Sequence, residues 1–310
     1  MPESFFTAAD FERMFQYKSG SLPESICQEL QNIDSSYHFA LPDEVAEYVE
    51  NLETLIVSPK IQRSQKETYV AFEKGWTENY NHILSQGISL EALKPGYFRG
   101  SKFLRFQRNI IVSNNLQLEF DLFKIARLLI FSRFLHGQKC IWELGCGSCE
   151  NLLMLSMLFP DTELHGADWT QASQKIANHL GRELQKKISG TVFDMNDISN
   201  IPDIKPGCAL LSIHAFEQLG RSYADILNFM IRCKPSLIVQ YEPILEFYDS
   251  KNLYDSLAIR YSHKRNYLDG YFSALKQLED AGKVQIIAAF RPELGGVLHE
   301  SSVLIWKPKS

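Results

Sequence analysis

From Lys139 onward, short apolar runs alternate with helical stretches, and this alternation constrains the fold more than any other feature. The runs are "KCIWEL", "TELHGAD", "GTVFDM", "CALLSIH", "SLIVQYE", "VQIIAAF" and "SVLIWKP". Short apolar runs bounded by turn residues read as strands, and helical stretches between the first five predict an α/β layered sheet. The last two runs are joined by "RPELGGVLHES", which has no helical period, so the final strand is expected to run antiparallel.

Residues 1–117 read differently, as a mostly helical region. Val45, Tyr48, Val49, Leu52, Leu55 and Ile56 form one helical stripe, with Pro42-Asp43 as its start signal. Tyr69, Phe72, Trp76, Tyr80 and Ile83 form a second, closed by Gly87, and plain helix–helix packing is the simplest use of such a stripe. Residues 93–113, "LKPGYFRGSKFLRFQRNIIVS", read as a Pro/Gly-punctuated connector rich in basic and aromatic side chains. A further apolar helix is expected over residues 118–135.

A length of 310 residues accommodates one large domain or two smaller ones. The formal net charge of −5 argues against a nucleic-acid partner, which selects for a basic footprint. The N-terminus shows neither a basic n-region nor a continuous apolar run, and the most apolar segment, residues 125–135, contains Arg127 and Arg133. The six cysteines are scattered, with only Cys146 and Cys149 close together, a pattern of a reducing compartment rather than a disulfide framework. The expectation is a soluble, cytoplasmic protein without membrane contact.

The loop after the first strand, "WELGCGSCEN" (residues 142–151), combines two patterns. Cys146-Gly147-Ser148-Cys149 is a CxxC, the spacing of a redox pair or of half a zinc site. Glu143-Leu144-Gly145-Cys146-Gly147 is an acidic-x-Gly-x-Gly turn opening a helix, where a backbone without Cβ atoms admits a ligand closely. Residues downstream favour the second use. Asp168 ends the next strand, where an acid accepts hydrogen bonds from both hydroxyls of a ribose. Asp194 ends the third and can take an exocyclic amine, with Met195 as an apolar plate for a purine. No second CxxC completes a zinc site.

With those residues in place, the chain resembles the class I S-adenosylmethionine-dependent methyltransferases, in their small-molecule branch with a helical N-terminal addition. The likeness covers residues 118–310 and departs from the usual third glycine at Cys149. It implies a Rossmann-like seven-stranded sheet and S-adenosyl-L-methionine as cofactor. It also implies a cofactor site of Glu143, Gly145, Cys146, Gly147, Asn151, Asp168, Trp169, Asp194 and Met195, with Glu143 at the amino-acid end.

Methyl transfer needs an aligned acceptor and, in many cases, removal of one proton. His214, after the fourth strand, is the expected base or orienter, and Glu242, at the end of the fifth, is the second choice. If a helix begins at His214, Gln218 shares its face and could anchor substrate. The same pair could ligate a divalent metal, but no carboxylate partner is identifiable, so no metal is assigned. Tyr97, Arg99 and Arg105 of the connector, with Arg260, Tyr261 and His263 further on, are candidate substrate contacts. His299 and Glu300, before the last strand, are a further candidate pair. The N-terminal helices and connector are expected to form a lid over a small-molecule acceptor. Two other functions compete: a nicotinamide-dependent oxidoreductase, which would want G-x-G-x-x-G, and a non-catalytic cofactor-binding module. Acceptor identity and oligomeric state are not legible.

Overall fold

The computed structural model describes residues 3–98 and 100–309. In the N-terminal region, β1 (Ser4–Phe5), α1 (Ala8–Met14), α2 (Glu24–Gln31) and β2 (Ser36–Phe39) precede two long helices, α3 (Pro42–Val57) and α4 (Gln65–Gln86). Proline at the first position opens α3. A capping box opens α4: Ser64 accepts from the Glu67 amide, and Glu67 accepts from the Ser64 amide. Gly87 ends α4 at φ 87°, as its place in the sequence predicts.

After the short α5 (Leu90–Leu93), the expected connector contains a hairpin, β3 (Phe103–Phe106) and β4 (Asn109–Val112). Its two turn residues, Gln107 and Arg108, both adopt positive φ, 50° and 63°. That is the conformation Asn-Gly favours; Gln-Arg gives no sequence signal for it.

The second half holds α6 (Leu118–Ile130), extended by a π-helical turn over Phe131–Leu135, then β5 (Cys140–Leu144), α7 (Glu150–Leu158), β6 (Glu163–Asp168), α8 (Gln171–Glu183), β7 (Ile188–Val192) and β8 (Ala209–Ile213). It continues with α9 (Ala224–Arg232), β9 (Leu237–Glu242), α10 (Leu253–Arg265), α11 (Tyr271–Asp280), β10 (Val284–Phe290), β11 (Leu294–Gly296), β12 (His299–Glu300) and β13 (Ser302–Pro308). All seven expected strands form, and they make one seven-stranded sheet in the order β10-β13-β9-β8-β5-β6-β7. β13 is antiparallel to both neighbours, as its non-helical approach predicts. One expected crossover helix is missing. Between β7 and β8 only a 3-10 turn, Ile198–Asn200, forms, because Pro202, Pro206 and Gly207 follow at once.

The loop residues 291–301 tie the halves together. β11 pairs with β3, joining a second, six-stranded sheet of order β1-β2-β4-β3-β11-β12. The expected boundary at 117/118 falls just before α6, and side chains from both sides share one core, from Phe11 and Trp76 to Leu153 and Ile305. Among the described residues, no helix is long and apolar enough to cross a membrane. Cys140 and Cys208, one position below the first paired residues of β5 and β8, form a disulfide that their separation of 68 residues conceals in the sequence.

Candidate active site

The strand order reverses between β5 and β8, so the loops leaving their carboxyl ends open a crevice. Gly145 stands there at φ 78°, and a Cβ on it would lie 2.3 Å from the Cβ of Ala215. Glycine is required at that approach. Gly147, at φ 49°, lies against Trp76 of α4, whose ring would be 3.0 Å from an added Cβ. Cys149 also adopts a left-handed conformation, φ 62°, immediately before α7. Its side chain is fully buried, with the sulfur 3.4 Å from the Ser173 carbonyl of α8. The residue that replaces the third glycine therefore packs beneath the loop. Cys149 Sγ donates to Cys146 Sγ at 3.8 Å, and no disulfide joins the two. The Cys149 contact and burial hold the Cys146 thiol well above its ordinary value, and burial raises that of Cys149. Neither has the exposed thiolate character of a redox pair.

A cleft of about 700 Å³ runs from this loop across the carboxyl ends of β5, β6, β7 and β8. Gly145, Cys146, Gly147, Asn151, Asp168 and Trp169 line one side of it, with Asp194 and Met195 beyond. Asp168 accepts from the Gly147 amide at 3.0 Å, tying the ends of β5 and β6 together, and from the Thr170 amide at 2.9 Å. Burial nevertheless raises its pKa. Asp194 accepts from the Asn196 amide at 2.8 Å and leaves Met195 facing the cleft beside Gly145. Trp169 meets Tyr69 edge-on at 5.5 Å, and Phe72 and Trp76 line the cleft opposite the glycine loop. The aromatic stripe of α4 thus forms a wall of the site as well as a packing face.

Beneath the glycine loop lies a polar network. Arg127 of α6 makes two hydrogen bonds to Glu150, at 2.9 and 3.0 Å, and one to the side-chain oxygen Oδ1 of Asn151 at 2.7 Å. The Asn151 amide donates in turn to Glu143 Oε1 at 2.6 Å. The other oxygen of Glu143 is buried without a hydrogen-bond partner, and burial pushes this carboxyl up to about 8. An unpaired buried carboxylate oxygen is costly, so its persistence marks a place where a cation or donor fits.

The far end of the cleft is bordered by residues 214–219. His214 takes φ 53°, and the 3-10 turn begins only at Phe216, so His214 and Gln218 do not share a helical face. His214 Nε2 bonds to the Ser301 hydroxyl, whereas Gln218 donates to Glu217 at 2.8 Å. Burial, then His299 and Arg127, hold His214 well below its ordinary pKa, so the ring is neutral at pH 7. His299 pairs with Glu217 through Nε2. Burial disfavours its proton, but Glu217 outweighs this and raises its pKa. Among the described residues, no three His, Cys, Asp or Glu side chains gather in a way that could hold a metal ion.

Several expected contacts lie elsewhere. Glu242 is not in the cleft; it is fully buried and accepts from the amides of Ala215 and Phe216, at 3.0 and 3.1 Å, as well as from Ser212. Burial, then Glu217, push it up to about 7. It shapes the 214–217 loop. Arg105 is fully buried in an ion cluster with Asp255 and Glu300, which Arg291 also joins at 2.7 and 3.0 Å. On α10, Tyr261 and Arg265 are four residues apart and face the cleft, while Arg260 pairs with Glu53 and His263 stays exposed near Asp269. Tyr97 lines the cleft edge-on to Trp76, and Arg99 lies outside the described residues. Arg127 and Glu217 were missed. A charged residue inside the apolar run "IARLLIFSRFL" was the available signal for Arg127; for Glu217 none existed.

No protein-family sequence model and no curated protein matches the chain. Similar solved structures include a magnesium protoporphyrin IX methyltransferase from Synechocystis PCC 6803, at 9% identity and TM-score 0.49, covering 80% of this chain and 100% of the other. An rRNA methylase from Escherichia coli matches at 11% identity and TM-score 0.45, covering 97% and 92%. A geranyl diphosphate C-methyltransferase from Streptomyces coelicolor A3(2) matches at 12% identity and TM-score 0.43, covering 62% and 84%. Identities this low say nothing of substrate. In its strand order and in the antiparallel placement of β13, the chain has the seven-stranded fold expected from its resemblance to class I S-adenosylmethionine-dependent methyltransferases.

Proposed function

We propose that the chain transfers a methyl group from S-adenosylmethionine to a small-molecule acceptor. One observation carries this reading: the orphaned Glu143 oxygen sits behind a two-glycine turn that shares one cleft with Asp168 and the Asp194–Met195 pair. Those groups fit the cofactor's parts. Glu143, with Asn151 and Arg127 behind the Gly145–Gly147 backbone, suits a zwitterionic amino-acid end. Asp168 suits ribose hydroxyls, and Asp194 with Met195 suits a purine with an exocyclic amine. The bound cofactor would supply a methyl group already activated on a sulfonium, so the protein need only align the acceptor and manage its proton. His214, neutral and at the cleft, orients the acceptor or takes its proton. Helix α4 and Tyr97 serve as the lid over it.

The nicotinamide alternative has less support. Glu150 opens α7 where a pyrophosphate would sit, and its paired Arg127 already occupies its charge. The sheet also carries the antiparallel strand β13 inserted between β9 and the edge strand β10, where a sixth parallel strand would pack on the fifth. A purely cofactor-binding role accounts poorly for a cleft that continues past the cofactor residues to Tyr261, Tyr267 and two histidines. Calorimetry with S-adenosylmethionine and, separately, NAD tests the reading. Micromolar binding of S-adenosylmethionine and none of NAD is expected; binding of NAD alone overturns it.

A further inference from the structure

Among the described residues, three arginines line the cleft: Arg63, Arg127 and Arg265. Arg127 is spent on Glu150, and Arg260, earlier on α10, pairs with Glu53. Arg265, in the last turn of α10, pairs with no carboxylate among the described residues. Its Nη1 donates to the Ile61 carbonyl at 2.8 Å and its Nε to the Tyr267 hydroxyl at 3.1 Å. The guanidinium also lies over the Tyr267 ring, 5.1 Å from its centroid. These contacts hold the fork in place and leave Nη2 without a hydrogen bond on a side chain that borders the cleft.

The bond to Ile61 ties the end of α10 to the turn between α3 and α4, the turn that carries Arg63. Arg63 is exposed at the cleft and makes no hydrogen bond or ion pair among the described residues. Burial raises the pKa of the Tyr261 hydroxyl, and the charges of Arg265 and Arg63 both act against that rise, so the two guanidinia reach one phenol. Glu217, whose charge also reaches Tyr261 and Arg265, is already paired with His299. A cation would meet two like charges here. An oxyanion meets two guanidinia, one of them held in place, beside a phenol that can donate.

We propose that Arg63, Arg265 and Tyr261 form a subsite for an anionic group, a carboxylate or a phosphate, carried by the methyl acceptor. This rests on the methyltransferase reading. The subsite lies apart from the residues suited to the cofactor: the turn before α4 and the end of α10 supply it, not the ends of β5, β6 and β7. An anchor there fixes one end of the acceptor, and the remainder aligns within the same cleft.

The test is calorimetric titration of benzoate, phenyl phosphate and the neutral benzyl alcohol into the protein, with and without S-adenosylhomocysteine. At least one anion should bind the wild type about tenfold or more tighter than benzyl alcohol. The tighter anion identifies the group as carboxylate or phosphate. Arg265→Gln should weaken its binding about tenfold or more. Arg63→Glu, which removes no bond within the protein, should weaken it by a smaller factor, as expected of an exposed charge. Both variants should bind S-adenosylhomocysteine as the wild type does, which reports their folding. Anions that bind no better than benzyl alcohol, or that bind both variants as tightly as the wild type, overturn the proposal. Anion binding as expected with no binding of S-adenosylhomocysteine supports the subsite and overturns instead the reading beneath it.

Discussion

Replacing Glu143 with glutamine should stabilise the ligand-free protein, and by an amount that grows with pH. Glu143 is fully buried; one oxygen accepts from Asn151 and the other has no partner. Burial raises its pKa from 4.5 to about 8. A carboxyl whose folded pKa is raised favours the protonated form in the folded state. Its contribution is therefore intact below the unfolded value, falls as pH rises from about 4.5, and levels off near 8. At about 1.36 kcal/mol per pH unit, the whole interval is roughly 5 kcal/mol. Glutamine preserves the shape and the acceptor for Asn151, and does not ionise. Urea unfolding of both proteins at pH 5, 6.5 and 8 measures the difference. Glu242, at about 7, titrates in the same range but is present in both proteins, so its slope cancels. Near-equal stability at pH 5 and a gain on the order of 4 kcal/mol for Glu143→Gln at pH 8 are expected. A difference that does not change with pH, or a variant less stable at pH 8, would show that the buried Glu143 carboxyl does not set this pH dependence. The same variant should bind S-adenosylhomocysteine more weakly, because the orphaned charge that destabilises the free protein is the one the cofactor's amino group would meet.

Three further outcomes follow from the same site. Gly145→Ala forces a Cβ into Ala215 at a left-handed φ, and should lose about 2–4 kcal/mol in urea unfolding and abolish S-adenosylhomocysteine binding by calorimetry. Arg127→Met strands Glu150 as an unpaired buried charge and should cost about 3–5 kcal/mol; adding Glu150→Gln should recover much of that loss. Glu73 of α4 accepts from the Gln171 amide at 2.8 Å and so caps the start of α8. Glu73→Ala should cost about 1 kcal/mol and speed hydrogen exchange at the Gln171 and Ala172 amides, whereas unchanged exchange would remove this link.

The seven strands were legible because each was a short apolar run closed by turn residues, and the antiparallel β13 followed from a loop without helical period. The part of the cleft at the ends of β5, β6 and β7 was legible for a related reason: its residues sit at strand ends, which sequence order locates. The part lined by residues 214–219 and α10 was not. Whether an α10 residue faces the cleft or solvent depends on helix rotation: Tyr261 lines the cleft, whereas Arg260 pairs with Glu53 and His263 is exposed near Asp269. Arg105 carries a charge that looked available but is buried by partners on α10 and β12, distant in sequence. The hairpin β3–β4 escaped notice because its turn adopts the required positive φ with Gln107 and Arg108.

On the proposed reading, the groups at three successive strand ends hold one nucleoside-bearing cofactor. A crystal structure with S-adenosylhomocysteine tests it most directly. Ribose hydroxyls are expected on Asp168, the adenine beside Asp194 and Met195, and the amino group on the free oxygen of Glu143. A ligand seated away from the Gly145–Gly147 turn, or one that leaves Glu143 Oε2 unpartnered, would contradict it.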